Sequence, residues 1–309
     1  MLFEQIQKNK RKTWLLYFLA FIVIELLVAI LYIVFNSDDF FPLSKKNLIK
    51  AIAPIMSISL TWWAVIGILT LYKFNFGMEG VMQANNAREI AEQDNPMLWH
   101  IVEDMAMVGQ IPMPRVFIVD TDVQNAFATG SNPEKAGLAV TQGLLDNLNR
   151  EELEAVVGHE ITHIRNYDIR VTMLMSCIII GLTFVNSFAS YLAFWGESSW
   201  DDDDDDDDDS SVWAGMVIFI YIITYIGIIA SSLINLAMSR NREYLADAGS
   251  VELTRNPQGM INALLKISGE SELEVKPQYT GMYFASTKTT SLLDDHPSIE
   301  DRIKAIKKL

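Results

Sequence analysis

The stretch VVGHEITHI, residues 156–164, contains two histidines four positions apart, with a glutamate directly after the first. On a helix, His159 and His163 would project from one face and could reach a single tetrahedral metal ion. Glu160 would be rotated by about 100° from His159, close enough to contact a water on the metal without being a ligand. The HExxH pattern also occurs by chance, so a hydrogen-bonded pair of buried histidines is the alternative. Because the chain has only four histidines, two of them at ligand spacing favour a metal site.

The residues around this stretch predict one continuous helix. Asn149 is a good N-cap, and Glu152 stands three positions later as its capping-box partner. Apolar residues recur at helical spacing and form one face: Leu153, Val156, Val157, Ile161 and Ile164.

The composition predicts an integral membrane protein. Half of the 309 residues are hydrophobic and the mean hydropathy is +0.19, although 20% are charged. Four apolar blocks account for this: 14–35, 51–71, 171–195 and 212–238. About 20 residues suffice to cross a hydrocarbon layer of about 30 Å, so we expect four transmembrane helices. The first block is too long for a cleaved signal peptide and has no cleavage site.

Two residues of these blocks, Glu25 and Cys177, are weak candidates for a functional role. Glu25 lies in the first block, where a protonated side chain packed against another span is favoured over a catalytic role. Cys177 is the only cysteine, which excludes an intrachain disulfide and favours ordinary apolar packing.

The distribution of basic residues orients the spans. Lysines and arginines precede the first and third blocks and follow the fourth, whereas residues 196–211 contain none. The positive-inside rule then places both termini in the cytoplasm. The loop 37–50 would be external, and its three lysines argue weakly against this orientation. The chain divides accordingly into a tail with a first hairpin (1–71), a cytoplasmic catalytic domain (72–170 and 239–309) and a second hairpin (171–238).

Nine consecutive aspartates, 201–209, supply much of the formal net charge of −15. They repel one another and cannot form a core, so a solvated external spacer is favoured over a cation site. The acidic balance argues against nucleic acid as a partner. No phosphate-binding Gly-Lys-Ser or Gly-Lys-Thr sequence indicates ATP.

The segment before the helix predicts a mixed α and β structure. Residues 86–110 favour a helix, on which His100 is expected to pack. Residues 115–120 predict a short buried strand, and residues 125–145 predict two short strands around a turn. We expect Gly137–Thr141 to immediately precede the HExxH helix as an exposed strand. It either pairs with a substrate backbone or is merely an edge strand.

A catalytic zinc also needs a third protein ligand. The downstream candidates are Asp168, Glu243, Asp247 and His296. If the helix continues, Asp168 faces away from the imidazoles. Residues 239–250 follow the fourth apolar block directly, so the second hairpin would bring them beside the HExxH helix. Glu243 and Asp247 are i and i+4 there, and spacing alone leaves both possible.

Four motifs in this order and spacing resemble the HtpX family of bacterial membrane zinc metalloproteases: NAFATGSNPEKAGLAVTQGL, HEITH, NREYLAD and HPSIEDRI. That family is of the gluzincin type and distantly similar to the CAAX-prenyl endopeptidases. The resemblance covers nearly the whole chain. The polyaspartate loop departs from it, and four spans agree with HtpX better than with the larger number expected of the prenyl endopeptidases.

The resemblance implies a mainly α membrane protein with four transmembrane helices and a cytoplasmic α+β zincin-like protease domain. It implies one zinc ion held by His159, His163 and Glu243, with Glu160 as general base. Asp247 is expected to orient a ligand, and His296 either supports the transition state or caps a last helix that starts with Pro297. The implied role is ATP-independent cleavage of damaged membrane proteins or unfolded proteins under stress, at the bacterial cell membrane.

Three other functions deserve comparison. A non-catalytic membrane scaffold would use a structural zinc, but such sites have four closed ligands rather than three and an adjacent glutamate. A channel or transporter would need polar residues along several spans, and three of the four blocks have no charged residue. A CAAX-type peptidase would cleave one defined peptide substrate. The sequence does not specify the substrate or the oligomeric state.

Overall fold

The computed structural model describes residues 45–173, 242–267 and 297–309, with a few isolated positions elsewhere. His296, Glu25, Cys177 and the polyaspartate loop lie outside the described residues, as do most of the blocks 14–35, 171–195 and 212–238. In the part of the chain that is described, no helix has both the length and the hydropathy needed to cross a membrane. The four-span arrangement stays a prediction.

The described residues belong to two compact units. One unit includes 45–71, which is the first part of a long helix, α1 (Lys45–Ala84). The other unit includes 72–173, 242–267 and 297–309, and contains the residues predicted for catalysis that are described.

A four-stranded sheet forms the centre of this second unit. Its strands are β1 (Ala87–Glu89), β2 (Arg115–Val119), β3 (Ala126–Gly130) and β4 (Ala136–Thr141), arranged in the order β1-β2-β4-β3. β2 and β4 are parallel, and the two outer pairs are antiparallel. The strand at 115–119 and the β3–β4 hairpin confirm the two strand predictions.

Helices cover both faces of the sheet. Leu138 and Val140 of β4 point into the main core, while Ala139 points to the other face, where it packs with Met82 at the end of α1. Gly137 allows the end of α1 to pack closely on β4, because an added Cβ at this position would lie 2.9 Å from the Met82 Cε. Since both faces are covered, the strands are apolar throughout rather than alternating.

Among the described residues, seven further helices belong to this unit, and α4 carries the two histidines. They are α2 (Pro96–Val108), α3 (Gln142–Asn147), α4 (Arg150–Arg165), α7 (Pro257–Ile267), α8 (Ile299–Ile306) and the described parts of α5 (168–173) and α6 (242–254). α4 packs against α2, α7 and β3. Its predicted apolar face is completely buried at Leu153, Val156 and Ile161, and burial stabilises each such side chain by roughly 1.5–3 kcal/mol.

The N-terminus of α4 confirms the predicted capping box. The Asn149 side chain accepts a hydrogen bond from the Glu152 amide at 3.0 Å, and the Glu152 carboxylate accepts one from the Asn149 amide at 2.8 Å. Lys266 of α7 donates to the same carboxylate at 2.7 Å, which joins the start of α4 to the helix behind it.

Two predictions before α4 were wrong. Residues 86–110 are not one helix, because Ala87–Glu89 pairs with β2 and the helix begins only at Pro96, after the N-cap Asn95. Proline disfavours helical backbone in the residue before it, which favours a helix boundary at this point. His100 does not pack, because its side chain is 48% exposed and lies 3.4 Å from the carboxylates of Glu92 and Glu103.

The predicted position of Gly137–Thr141 was also wrong. β4 is an interior strand, paired with β2 on one side and β3 on the other. It has no edge for a substrate, and α3 separates it from α4. The parallel β2–β4 pair joins segments that are about 20 residues apart, and nothing in a local pattern reveals such a pairing.

Candidate metal centre

The two histidines of α4 form one side of the site. Their rings are 4.6 Å apart between centroids and nearly perpendicular, at 85°. The Nε2 atoms of His159 and His163 approach to 3.0 Å. His159 is completely buried, whereas the side chain of His163 is 15% exposed, so the site is closest to solvent at His163.

Small residues bring α6 against α4. The Ser250 hydroxyl donates to the Ala155 carbonyl across the crossing, and Gly249 lies against the Thr162 side chain so closely that an added Cβ would be 2.3 Å from its Cγ2. Glu243 is seven residues before Ser250, about two helical turns, and therefore lies on the same face of α6. The close crossing thus aims Glu243 at α4.

The carboxylate of Glu243 completes a group of three residues that could hold a metal ion. Its Oε2 lies 3.5 Å from the His159 Nε2, and its Oε1 lies 3.4 Å from the His163 Nε2. A tetrahedral ion bound at 2.0–2.1 Å holds its ligand atoms about 3.3 Å apart. The two Nε2 atoms are 3.0 Å apart, and the nearest Glu243 oxygen lies 3.4 Å from one of them and 3.5 Å from the other, although the two contacts use different oxygens. One donor atom from each of the three residues lies within 4.8 Å of the others, so the donor set could hold a zinc-sized ion.

Each imidazole also contacts a carboxylate on its other nitrogen. Asp247 Oδ1 lies 3.0 Å from the Nδ1 of His159, and Asp168 Oδ2 lies 3.0 Å from the Nδ1 of His163. At His163 this contact is a hydrogen bond, and a carboxylate that accepts the Nδ1 proton favours the tautomer in which Nε2 carries the lone pair. In both rings the Nδ1 atom lies toward a carboxylate and the Nε2 atom toward the other histidine and Glu243.

The expectation that Asp168 faces away from the imidazoles was wrong. α4 ends at Arg165, and Tyr167 adopts a left-handed backbone conformation with φ 62°. This turn ends the helical phase, and α5 begins at Asp168. The Asp168 carboxylate is thereby directed back to His163, on the side opposite the metal position.

Geometry separates Glu243 from Asp247, which spacing alone could not do. Glu243 reaches the Nε2 atoms of both histidines, while Asp247 reaches a single Nδ1. Asp247 also accepts two hydrogen bonds from Arg302 of α8, at 2.9 Å from Nε and 2.6 Å from Nη2. Sequence reasoning missed Arg302, which lies in HPSIEDRI.

The same motif begins its helix later than expected. α8 starts at Ile299 with Ser298 as the N-cap, so Pro297 precedes the cap instead of occupying the first helical position. Arg302 and Ile306, one turn apart, are the buried residues of this helix. His296 lies outside the described residues, and its two predicted roles stay open.

The charges of the site are strongly coupled. Burial lowers the pKa of His163, but the carboxylates of Asp168 and Glu243 outweigh burial and raise that pKa to about 10. Burial raises the pKa of Asp247, but the Arg302 guanidinium outweighs it and holds the pKa below its usual range. Counting only described residues, three carboxylates contact the two imidazoles, and one guanidinium accompanies them. A divalent cation would balance this charge.

Glu160 lies directly after His159 and is 2% exposed. It is one of the three carboxylates whose charges raise the pKa of Arg302, against the effect of burial, together with Asp247 and Glu243. A buried carboxylate next to a metal position is the arrangement expected of a general base.

Residues 92–309 match Peptidase family M48. The chain belongs to peptidase family M48. Two relatives named Protease HtpX homolog, from Lactobacillus acidophilus and Streptococcus gordonii, are each 42% identical to it. The alignments cover 99% of both chains for the first and 100% of both for the second.

The chain is therefore an M48 metalloprotease, and its resemblance to the HtpX proteases is confirmed. The crystal structure of S. mikatae Ste24p is also similar, with 19% identity and a TM-score of 0.49 over 96% of this chain and 66% of that chain. As a protease, this M48 member acts on protein substrates, and the described residues include a group, His159, His163 and Glu243, that could hold a metal ion.

Proposed function

We propose that this M48 protease is a membrane-bound zinc endopeptidase that works without ATP and cleaves damaged or misfolded membrane proteins during stress. The observation that supports it best is the convergence of donor atoms from His159, His163 and Glu243 within 4.8 Å of one another, with the buried Glu160 directly after His159 on the same helix. Three protein ligands leave one position open, as catalytic rather than structural zinc sites do.

Zinc bound by these three residues would supply Lewis acidity, lowering the pKa of a water and polarising the scissile carbonyl. Glu160 takes the proton from the attacking water and later passes it to the leaving amine, so that one carboxyl serves as base and then as acid. His159 and His163 keep their Nε2 atoms aimed at one point because Asp247 and Asp168 hold their Nδ1 atoms.

The location of the substrates follows from the predicted spans. Since α4 and α6 adjoin the apolar blocks 171–195 and 212–238 in sequence, we propose that the site lies near the cytoplasmic membrane surface and receives loops or ends of membrane proteins. A reporter fused at residue 205 should then be external, and one fused at 309 cytoplasmic. A cytoplasmic signal at 205 would contradict this topology.

The catalytic proposal is tested by Glu160→Gln, which keeps the size of the side chain and removes the base. We expect this variant to bind about one zinc per chain and to cleave casein without ATP at background rate, because loss of general acid–base catalysis costs roughly 10²–10⁴-fold. His159→Ala should lose both zinc and activity. Glu154→Gln, on an outer face of α4 where the carboxylate pairs with Arg150, is the matched control.

Near-native cleavage by Glu160→Gln would refute the role of Glu160 as general base. Native activity after treatment with a chelator would refute the dependence of cleavage on a bound metal ion. The substrate class needs a separate test. Cells that express the native chain or the Glu160→Gln form should differ in proteins that the inactive form traps, and these should be enriched in membrane proteins.

A further inference from the structure

Arg302 has the largest side chain among the described residues that are fully buried, with 1% of its surface exposed. It belongs to α8, a short helix close to the end of the chain. Burying a guanidinium is costly unless it is paired and hydrogen-bonded, and the mechanism above gives it no task. Its contacts therefore indicate what it does.

Two oxygens of the metal centre are shared with Arg302. Asp247 Oδ1 lies 2.6 Å from Arg302 Nη2 and 3.0 Å from the His159 Nδ1. Glu243 Oε2 lies 4.0 Å from Arg302 Nη1 and 3.5 Å from the His159 Nε2. The guanidinium thus adjoins both the carboxylate that supports His159 and the carboxylate that completes the ligand group.

We propose that Arg302 is a positioning residue for the metal centre, acting through Asp247. Its planar fork holds both oxygens of Asp247 and so fixes the rotation of that carboxylate, which in turn fixes the His159 ring with Nε2 toward the metal. This inference rests on the proposed zinc function. It makes α8 part of the metal site, although α8 supplies no ligand to it.

A purely structural role for Arg302 would be to attach α8 to the protein. Apolar contacts already serve that purpose, because Ile306 is buried in the core and Ile299 and Ile303 pack against it. A salt bridge that only attached the helix would need no particular orientation toward His159. The sharing of Asp247 Oδ1 between Arg302 and His159 is what favours positioning.

The test measures zinc affinity by competition with a chelator, using the full chain in detergent, and compares Arg302→Gln with the native protein. Loss of a residue that orients a metal ligand weakens metal binding by about 10–100-fold, and we expect a loss in this range. The visible spectrum of the cobalt-substituted protein should change as well, because it reports ligand geometry. Lys304→Gln, on the same helix with a side chain that is 66% exposed, should match the native protein in both measurements.

Two further comparisons separate positioning from folding. Arg302→Lys keeps the charge but not the two-point fork, so its zinc affinity should also fall, and native affinity in this variant would overturn the proposal. In an Asp247→Asn background, adding Arg302→Gln should weaken zinc binding by no more than about twofold, since the effect passes through Asp247. A further tenfold loss there would equally overturn it.

The outcomes distinguish this inference from the function on which it rests. Absence of zinc in the native protein would refute the zinc site itself. Native zinc binding with unchanged affinity and cobalt spectrum in Arg302→Gln would refute the role of Arg302 alone. If Arg302→Gln does not fold, the zinc affinities of Arg302→Lys and of Asp247→Asn with and without Arg302→Gln decide whether Arg302 positions the metal centre.

Discussion

Gly249→Ala should weaken zinc binding, although Gly249 has no side chain that could bind a metal. The added Cβ would lie 2.3 Å from Cγ2, 2.6 Å from Oγ1 and 3.0 Å from Cβ of Thr162, whereas carbon atoms prefer about 3.5–4.0 Å. Thr162 cannot rotate away easily, because its hydroxyl donates to the Gly158 carbonyl at 2.8 Å and a β-branched side chain is stiff in a helix. α6 must therefore move off α4 by roughly 1 Å, an overpacking that costs about 1–3 kcal/mol.

The displacement matters because Glu243 lies on the same helix. Metal–ligand distances tolerate only about 0.2 Å, so a shift of α6 should separate Glu243 from the two imidazoles. We expect lower zinc affinity and a lower midpoint of thermal unfolding, measured on the full chain in detergent with and without zinc. The greater helix propensity of alanine, worth up to about 1 kcal/mol, offsets only part of the cost.

Two controls make this prediction specific. Gly80→Ala, in α1, places its Cβ where no atom lies within 4 Å, and it should leave zinc binding unchanged. Thr162→Ala combined with Gly249→Ala should recover part of the zinc affinity, because only the Cβ contact at 3.0 Å remains. Native affinity and unfolding midpoint in Gly249→Ala alone would show that the helix crossing does not set the position of Glu243.

Glu243→Ala should lose both zinc and activity; stoichiometric zinc in this variant, by elemental analysis, would exclude Glu243 as a ligand. Asp168→Ala should keep zinc but bind it about 10–100-fold more weakly, as judged by chelator competition, and unchanged affinity would contradict the contact with His163. Since the pKa of His163 in the metal-free protein is about 10, zinc binding at pH 7 must release a proton, which calorimetry in buffers of different ionisation enthalpy measures. The same group stabilises the metal-free fold fully below its unfolded pKa of about 6.5. The unfolding midpoint of the metal-free protein should therefore fall as pH rises from about 6.5 to about 10, and a flat profile would contradict the raised pKa.

Local patterns predicted the elements around the site well. The capping box of Asn149 and Glu152 and the apolar spacing that follows both depend on neighbours within two turns of one helix, and α4 confirms them. The strand at 115–119 and the β3–β4 hairpin are similarly local. Where a prediction needed pairing between distant segments, as for the interior position of β4, the local pattern carried no information.

The residues that contact the candidate ligands were harder to predict than the candidate ligands themselves. His159 and His163 have a recognisable spacing because one helix presents both of them on one face, where they could reach one ion. Asp168 contacts His163 only because the helix ends at Arg165 and the left-handed Tyr167 turns the chain. Tyrosine has no marked preference for that conformation, so its sequence position did not predict the turn.

The sequence contained a signal that Arg302 is buried. Ile299, Ile303 and Ile306 mark one apolar stripe of α8, and Arg302, three residues after Ile299, falls within it. A guanidinium that is buried in an apolar stripe needs pairing and hydrogen bonds, which a carboxylate supplies best, and Asp247 is 55 positions earlier in the chain. The pattern could thus predict that Arg302 has a buried carboxylate to bind, but not which one. Only the packing of α8 in the fold selects Asp247, and that selection is what joins the last helix to His159.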